Sequence, residues 1–438
     1  MTQNRKSLAY ILIGAAAAGV YLEVRRHERL DAAAAASASA SADNPHSAPS
    51  AAPNSGAPGA APRPPTSAVA LTLAQVEQAE AVLTQGVKAG ASDVHSAWAL
   101  AHGLIAFGRD FRLPGGQTAV SAIGRLLVAS GSPKRWAFPP GSAVAPSEPH
   151  PFLVLDVLLQ VGVPLTERLT TQDGTQVSVR DLVSQALSEA RVPADHGAWV
   201  DAPWLMDLTT RVGDLGAAAT LRQGLASGAL SQLAQDTQLI ADYRGSDAAA
   251  FAPSSPLFAA KREKLGIYGH HCGGLHFMQG ALQLAASARA PGAAGTPEGA
   301  TPAGETLGKL RPQLELLVRR SQLEGAAYAE LERATAANPD ARRLILVQQL
   351  KFFGHTAETL GLARELKLYD PEQAAGKDLD NGLLTAAAHV VRVTAALTQS
   401  GAYANLEAIK RERAQTYLDL IGDGCHALRG LRRALPAL

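Results

Sequence analysis

Apolar residues recur every three to four positions over most of the chain beyond residue 66, the spacing that places them along one face of an α-helix. After Thr72, for example, Gln75 completes the pattern of a capping box, and Val76 and Leu83 continue the apolar face. The pattern predicts an all-α fold. We expect the helices to form antiparallel pairs, as in an α/α toroid or a solenoid, although the sequence contains no strict repeat.

Segments rich in Gly, Pro and Ser separate the predicted helices. The longest of them in the middle of the chain, residues 131–149, also contains Trp136 and Phe138, so we predict a loop that packs back on the body through these two rings. The predicted helices cover residues 97–108, 120–127, 214–225, 230–243, 257–265, 273–289, 310–336, 341–367, 379–399 and 405–431.

Residues 169–179 depart from the helical spacing. Asp173 and Gly174 form a typical turn pair between residues that favour strands, which predicts one short β-hairpin. Ser178 then caps the next helix, with Asp181 three residues later as the acidic partner of a capping box.

The N-terminal region predicts a membrane anchor. Residues 8–24 are apolar except for Glu23, and they follow a tail, residues 1–7, that contains Arg5 and Lys6. The apolar run is near the lower limit of roughly 17 residues that a transmembrane helix needs. A cleaved signal peptide begins in the same way, but the run continues past the alanines at which such a peptide would be cut, and this favours an uncleaved single-pass helix.

Two low-complexity segments divide the rest of the chain. Residues 25–66 consist mostly of Ala, Ser and Pro and almost lack large apolar side chains, so we predict a disordered linker. Residues 290–304 have a similar composition and separate a first helical part, residues 67–289, from a second, residues 305–438. Linkers of this kind hold many bacterial envelope domains away from a bilayer, which favours the inner membrane with the helical domain on its periplasmic side.

Charge and cysteine content narrow the function classes. Lys and Arg number 40 against 39 Asp and Glu, so the chain has no overall basic field and nucleic-acid binding is not expected. Cys272 and Cys425 are the only cysteines and have no CxxC spacing, which excludes a disulfide framework and a zinc knuckle. One long-range disulfide between them stays open.

The segment GHHCGGLHFMQG, residues 269–280, has the most unusual chemistry. In a continuous helix Cys272 and His276 lie one turn apart, with His271 at the helix start, and these three are candidate zinc ligands. Alternatively, the glycines admit a neighbouring helix and the histidines bind backbone atoms. A third interpretation makes Cys272 a nucleophile with a histidine base.

Three other helices also have a histidine beside small residues, in AHGL, FGHTAETLG and GDGCHALRG. Tight helix packing explains this pattern, and a weak internal duplication is the alternative. Any of these segments could supply a second pair of metal ligands. The histidines are His102, His355 and His426.

His102 is also a candidate catalytic residue. At spacings of three and four residues, His95, Trp98 and His102 would form a stripe along one helix face. Such a stripe lines a pocket or consists of buried histidines that hydrogen-bond to neighbouring helices.

Two acidic residues complete the candidate catalytic set. Asp156 lies within the apolar run FLVLDVLLQ, where lost hydration should raise its pKa unless a cation pairs with it, and a raised carboxyl can act as a general acid. Asp201 lies between Trp199 and Trp204, which is typical of a sugar- or peptide-binding wall and also of ordinary core filling.

The chain contains no complete catalytic motif, so whether it is an enzyme stays open. Our first interpretation is a membrane-anchored helical envelope protein that binds a protein partner or a small ligand in a concavity between helices. The alternative is a hydrolytic enzyme with a His/Cys metal or acid/base site. Convergence of His102, Cys272, His276 and a carboxylate around a pocket would favour the enzyme.

Overall fold

α-Helices dominate the fold, as the apolar spacing predicts. A computed structural model of the chain describes residues 71–132, 134–195, 197–235, 271–287 and 302–438. The helices in these ranges are α1 (Leu73–Ala91), α2 (Ala97–Phe107), α3 (Ala119–Leu126), α4 (Leu153–Gln160), α5 (Val179–Glu189), α6 (Ala202–Arg211), α7 (Ala218–Gln235), α8 (Leu275–Ser287), α9 (Pro302–Ala334), α10 (Pro339–Glu365), α11 (Ala374–Gln399), α12 (Leu406–Glu412) and α13 (Ala414–Ala434).

Several of these helices begin at the residues that the sequence predicts, and short-range polar contacts cap them there. Thr72 and Gln75 form the capping box of α1, and each satisfies a backbone N–H of the other. Ser178 and Asp181 do the same for α5. Both predictions are confirmed.

Some helix boundaries differ from the prediction. The expected gap between residues 225 and 230 is absent, because Gly228 lies inside α7, where its lack of a side chain lets the helix approach Trp199. Conversely, residues 405–431 form two helices that break at Arg413, whose side chain reaches Asp340 of another helix at 3.7 Å. In both cases a contact distant in sequence decides the local structure.

The predicted hairpin at residues 169–179 is confirmed. Strand β3 (Arg168–Thr170) pairs antiparallel with β4 (Gln176–Ser178), and Leu169 lies opposite Val177. The Asp173 carboxylate accepts a hydrogen bond from the backbone N–H of Thr175, and Gly174 takes the positive φ that the turn requires.

A second hairpin begins before the predicted loop and includes its first residues. β1 (Val128–Ser130) pairs antiparallel with β2 (Arg135–Ala137). Gln185 of α5 accepts a hydrogen bond from the Trp136 backbone N–H and donates one to its carbonyl, both at 2.9 Å. The segment does pack on the core through Trp136 and Phe138, as predicted, but its first residues form a strand that is supported by a helix some fifty positions away, which local sequence does not show.

The centre of the fold is the contact between α10 and α13. α10 also packs against α11 and α8, and α13 packs against α1 and α2. A Cβ atom on Gly354 would lie 2.9 Å from the Ala427 Cβ, and one on Gly430 would lie 2.8 Å from the Gly354 carbonyl oxygen. Only glycine permits this approach, and it brings the polar residues of the two helices close together.

The N-terminal predictions are not tested by this fold. The tail, the anchor at residues 8–24 and the linker at residues 25–66 lie outside the described residues, as do residues 288–301 and the helix predicted at residues 257–265. Among the helices that the structure describes, none combines the length and apolar character needed to cross a membrane.

Candidate metal centre

Four helices each contribute one histidine to a cluster in the core. His355 of α10 lies centrally, with ring centroids 4.1 Å from His426 of α13 and 4.6 Å from His276 of α8. His102 of α2 contacts the other side of His426 at 5.2 Å. The histidines that stand beside small residues in the sequence therefore meet in space. Tight helix packing and convergence of the histidines occur together.

Burial controls the protonation of these rings. It lowers the pKa of His102 to about 3 and also lowers the pKa values of His276 and His426. These imidazoles are neutral at neutral pH, which is the form that binds metals. At His355 burial acts in the same direction, but the neighbouring Cys272 thiol and the nearby carboxylates outweigh it and hold the pKa of this ring well above its usual value.

Glu358 is the carboxylate of the cluster, one helical turn after His355. Its Oε2 lies 2.7 Å from His426 Nδ1 and 3.5 Å from His355 Nδ1, and its Oε1 lies 3.5 Å from an Arg429 nitrogen. Burial raises the pKa of a carboxyl, but these neighbours outweigh it and hold the pKa of Glu358 well below its usual value. Glu358 is therefore a buried carboxylate anion.

Cys272 reaches the cluster through an irregular backbone. The expected continuous helix was wrong: His271–Gly274 form a 3₁₀ turn, Cys272 has φ 51°, and α8 begins only at Leu275. This conformation is uncommon for a residue with a side chain. His271 lies in the same turn, but its side chain is outside what the structure describes.

Two overlapping sets of donor atoms have the compactness of a metal site. Within each set the atoms lie within 4.8 Å of one another, and His355 belongs to both. The first set combines a thiol with two imidazoles, and the second combines a carboxylate with two imidazoles. The sets are Cys272, His276 and His355, and His355, Glu358 and His426.

The two nitrogens of His355 have different environments. Nδ1 is buried and has no hydrogen-bond partner among the described residues. Nε2 lies 3.3 Å from Asp423 Oδ1, and Asp423 in turn lies 3.5 Å from Lys351. Metal-binding histidines commonly direct one nitrogen to the metal and the other to a carboxylate. His355 has this arrangement.

A cavity of about 40 Å³ adjoins the cluster. His276, His426 and Glu358 form part of its lining, and so do Asp156 and Asp207. A water molecule needs roughly 10–15 Å³ of such space, so the cavity holds one or two waters. The larger surface clefts, near Tyr369 and near Trp136, contain none of the clustered histidines.

The sequence candidate Asp156 thus lines the same cavity as the cluster. It is buried, and the pKa of its carboxyl is raised well above the usual value, first by burial and then by the neighbouring Asp207. Arg211 opposes this shift from 3.8 Å but does not outweigh it. The raised pKa expected from the apolar sequence around Asp156 is found.

The candidate Asp201 lies outside the cluster. Its side chain is 43% exposed and lies 3.2 Å from His150 Nδ1. His150 stacks on Trp204, and Trp204 contacts His276 with centroids 5.2 Å apart, so two rings separate Asp201 from the cluster. Trp199 and Trp204 are buried, so the proposed exposed binding wall was wrong and core filling is the correct interpretation.

The stripe predicted on α2 exists only in part. His95 lies in an exposed turn before the helix, since Ser96 is the N-cap residue. Trp98 and His102 do contact each other, with centroids 4.1 Å apart, and His102 Nδ1 lies 2.8 Å from the Trp98 carbonyl oxygen. His102 therefore flanks the cluster and is held by its own helix.

The two cysteines do not form a disulfide. Both are free, and Cys425 is fully buried, which raises the pKa of its thiol. Although Cys425 precedes His426 in sequence, it is not part of either donor set.

Sequence reasoning missed Glu358 and Asp423. A signal was present: HTAE places Glu358 three residues after His355, and DGCH places Asp423 three residues before His426. Metal sites in the cores of helix bundles use pairs of carboxylate and imidazole at this spacing. Each pair alone is common by chance, and only the contact between α10 and α13 unites them.

Comparison with family models, with curated proteins and with solved structures finds no match to this chain. The function is therefore argued from the geometry of the site.

Proposed function

We propose that this protein is a zinc-dependent hydrolytic enzyme whose metal is bound by Cys272, His276 and His355. The observation that carries this proposal is the convergence of one thiol and two imidazoles within 4.8 Å, around a buried His355 Nδ1 that has no hydrogen-bond partner in the described part of the chain. An unsatisfied polar atom in a core is costly, and a metal ion would satisfy it.

The donor set favours zinc over harder cations. Sulfur and imidazole nitrogen are typical zinc ligands, whereas Mg²⁺ and Ca²⁺ prefer oxygen. His276 is neutral and ready to bind, while the raised pKa of His355 means that this ring must lose a proton when the metal binds. Zinc uptake should therefore release protons and weaken in acid.

Among the residues whose side chains the structure describes, the donor set has three members, the number typical of a catalytic zinc site. Structural zinc sites use four protein ligands, and catalytic ones use three with a fourth position for water. Bound zinc lowers the pKa of its water to about 7. His276 lines the adjoining cavity, and the His426–Glu358 pair also lines it, where it can hydrogen-bond to a water molecule. The small cavity restricts the reacting part of a substrate to a few atoms.

A second candidate function uses the same cysteine differently. Cys272 lies in a turn with positive φ just before α8, close to His355, and Asp423 supports the far nitrogen of that ring. A thiol, an imidazole and an orienting carboxylate in this order can perform nucleophilic catalysis without a metal.

We keep the membrane anchor at residues 8–24 and a periplasmic helical domain as part of the proposal. Their support is the N-terminal sequence and the linker that follows it. A toroid-like course of the helices is supported by the contacts of the last long helix, α13, with the first two, α1 and α2. Fractionation of cells that produce the full-length chain tests the anchor: recovery as a freely soluble protein with an intact N-terminus would contradict it.

Metal analysis of the purified full-length protein tests the function. We expect stoichiometric zinc in the wild type and its loss in Cys272→Ala, because a ligand is removed. Cys425→Ala is the matched control, since it removes a buried thiol outside the donor sets, and it should keep its zinc.

The same samples separate the other interpretations. A zinc-free wild type in which iodoacetamide alkylates Cys272 rapidly at neutral pH would favour the thiol nucleophile. A zinc-free wild type with an unreactive Cys272 would favour a tethered protein that binds a partner or a small ligand without catalysis.

A further inference from the structure

The cavity is also lined by Asp156, a buried carboxyl group whose contacts within the protein do not account for its burial. Asp156 and Gln160 come from α4, Asp207 comes from α6, and Arg429 comes from α13. Asp156 and Asp207 are only 4% and 6% exposed. Two carboxyls buried this deeply need partners, and the contacts of the two differ.

Asp207 has its full set of partners. Arg211 donates a hydrogen bond to it at 2.9 Å, and Gln160 donates a second at 3.3 Å. Gln160 is itself held by a hydrogen bond from Arg429. These contacts fix Asp207 and the side chains around it.

Asp156 has no such set. Its Oδ1 is buried and lacks a hydrogen-bond partner in the described ranges, and the nearest cation, Arg211, lies 3.8 Å away and is engaged with Asp207. The remaining charged or titratable groups around the cavity are Glu358, His276, His426, Arg429 and Arg433. An unpaired carboxyl in such a place costs free energy unless a bound molecule in the cavity satisfies it.

We propose that Asp156 donates a hydrogen bond to the oxygen of the zinc-bound water or hydroxide across this cavity, and that Asp207 and Arg211 position it. This inference rests on the proposed zinc centre. His276, one of the three proposed ligands, lines this cavity together with Asp156, so a water bound to the metal on the cavity side of His276 would lie close to Asp156.

The protonation of Asp156 agrees with a donor. Burial and Asp207 raise its pKa well above the usual value, which favours the protonated carboxyl, the form that can donate a hydrogen bond. A hydrogen bond to a charged oxygen is stronger than one to a neutral oxygen. Asp156 should therefore stabilise the hydroxide over the water and lower the pKa of the bound water.

Cobalt in place of zinc makes this measurable, because the visible spectrum of Co²⁺ changes when its bound water loses a proton. The full-length protein is loaded with Co²⁺ and titrated with pH. Asp156→Leu and Asp156→Ala remove the donor and should raise the midpoint of the spectral change by roughly one pH unit. Asp156→Asn retains an N–H donor and should stay close to the wild type.

Asp380→Ala is the matched control, since Asp380 is another partly buried aspartate that contacts an arginine but is not part of the cavity lining. Stoichiometric cobalt with an unchanged midpoint in Asp156→Ala would overturn this inference and leave the zinc centre intact. A wild type that binds neither zinc nor cobalt would overturn both. The alanine variant adds no volume, so it serves if the leucine variant fails to fold.

Discussion

Two buried polar regions line the same cavity and differ in the cations and hydrogen-bond donors that surround their carboxyl groups. The histidine region contains His355, Glu358 and His426, and the aspartate region contains Asp156 and Asp207. Glu358 is 1% exposed and Asp156 is 4% exposed, so burial is almost equal. Their pKa values nevertheless move in opposite directions. The number of nearby cations and donors, and not the depth of burial, decides the charge of a buried carboxyl.

The contacts give the physical reason. Glu358 is approached by His426, Arg429 and Arg433, whose nitrogens lie between 2.7 and 3.8 Å from its oxygens. In the aspartate region two carboxyls share Arg211, and Asp207 takes its hydrogen bond. Asp156 therefore loses its hydration on burial and gains few hydrogen bonds or ion pairs in exchange.

The largest expected effect is on the histidine region. Glu358→Gln leaves Arg429 buried without its carboxylate, while Arg433 keeps Glu365 at 3.0 Å, and removing one partner of a buried ion pair typically costs about 3–5 kcal/mol of unfolding free energy. Urea unfolding followed by circular dichroism measures it. Glu189→Gln is the control, because its pair with Arg135 is solvent-exposed and should contribute less than about 1 kcal/mol. Equal effects in the two variants would contradict the difference that we draw between buried and exposed carboxylates.

The next effect concerns metal affinity. Asp423→Asn weakens the support of His355 Nε2, and loss of such an outer partner typically lowers metal affinity about 10- to 100-fold while the stoichiometry is unchanged. Competition with a chelator of known affinity measures this. Asp419→Asn lies on the same helix and also contacts Lys351, but it has no contact with a clustered histidine. An identical zinc affinity in both variants would argue against His355 as a ligand.

The smallest expected effect is the change of the free energy of unfolding with pH that Asp156 causes, and the raised pKa fixes the sign of this change. The folded pKa of Asp156 is raised, so its contribution to stability is present below the unfolded value of about 4 and is lost as the pH rises above it. Asparagine does not titrate, so the Asp156→Asn variant does not lose stability in this way as the pH rises. In chelator, the free energy of unfolding of the variant relative to the wild type should therefore increase between acid and neutral pH, on the order of 1 kcal/mol. A difference that is constant with pH would mean that Asp156 does not titrate differently in the folded and unfolded chains.

Sequence patterns predicted the local elements well. Helical spacing, the capping boxes at Thr72 and Ser178 and the turn at Asp173 all depend on residues within four positions of one another, so the sequence contains the whole interaction. Asp156 was also identified correctly as a buried carboxyl with a raised pKa, because its apolar neighbours are adjacent in sequence.

The candidate site was predictable only in fragments. The prediction placed Cys272 and His276 on one regular helix, but Cys272 lies in a turn with positive φ before the helix, and its thiol lies near both His276 and His355. Asp201 was chosen for its tryptophan neighbours, yet those rings fill the core. Glu358 was overlooked because its partner His426 is on another helix.

What the sequence by itself determined is therefore most of the helices, but not α4 and α6, together with one hairpin and the apolar surroundings of single residues, since short-range hydrogen bonds and side-chain periodicity act within a few residues. The tertiary structure alone decided which polar groups meet. Gly354 and Gly430 let α10 and α13 approach closely enough to join the carboxylate of one helix to the histidine of the other. That distance depends on packing between segments about seventy residues apart, and no local pattern encodes it.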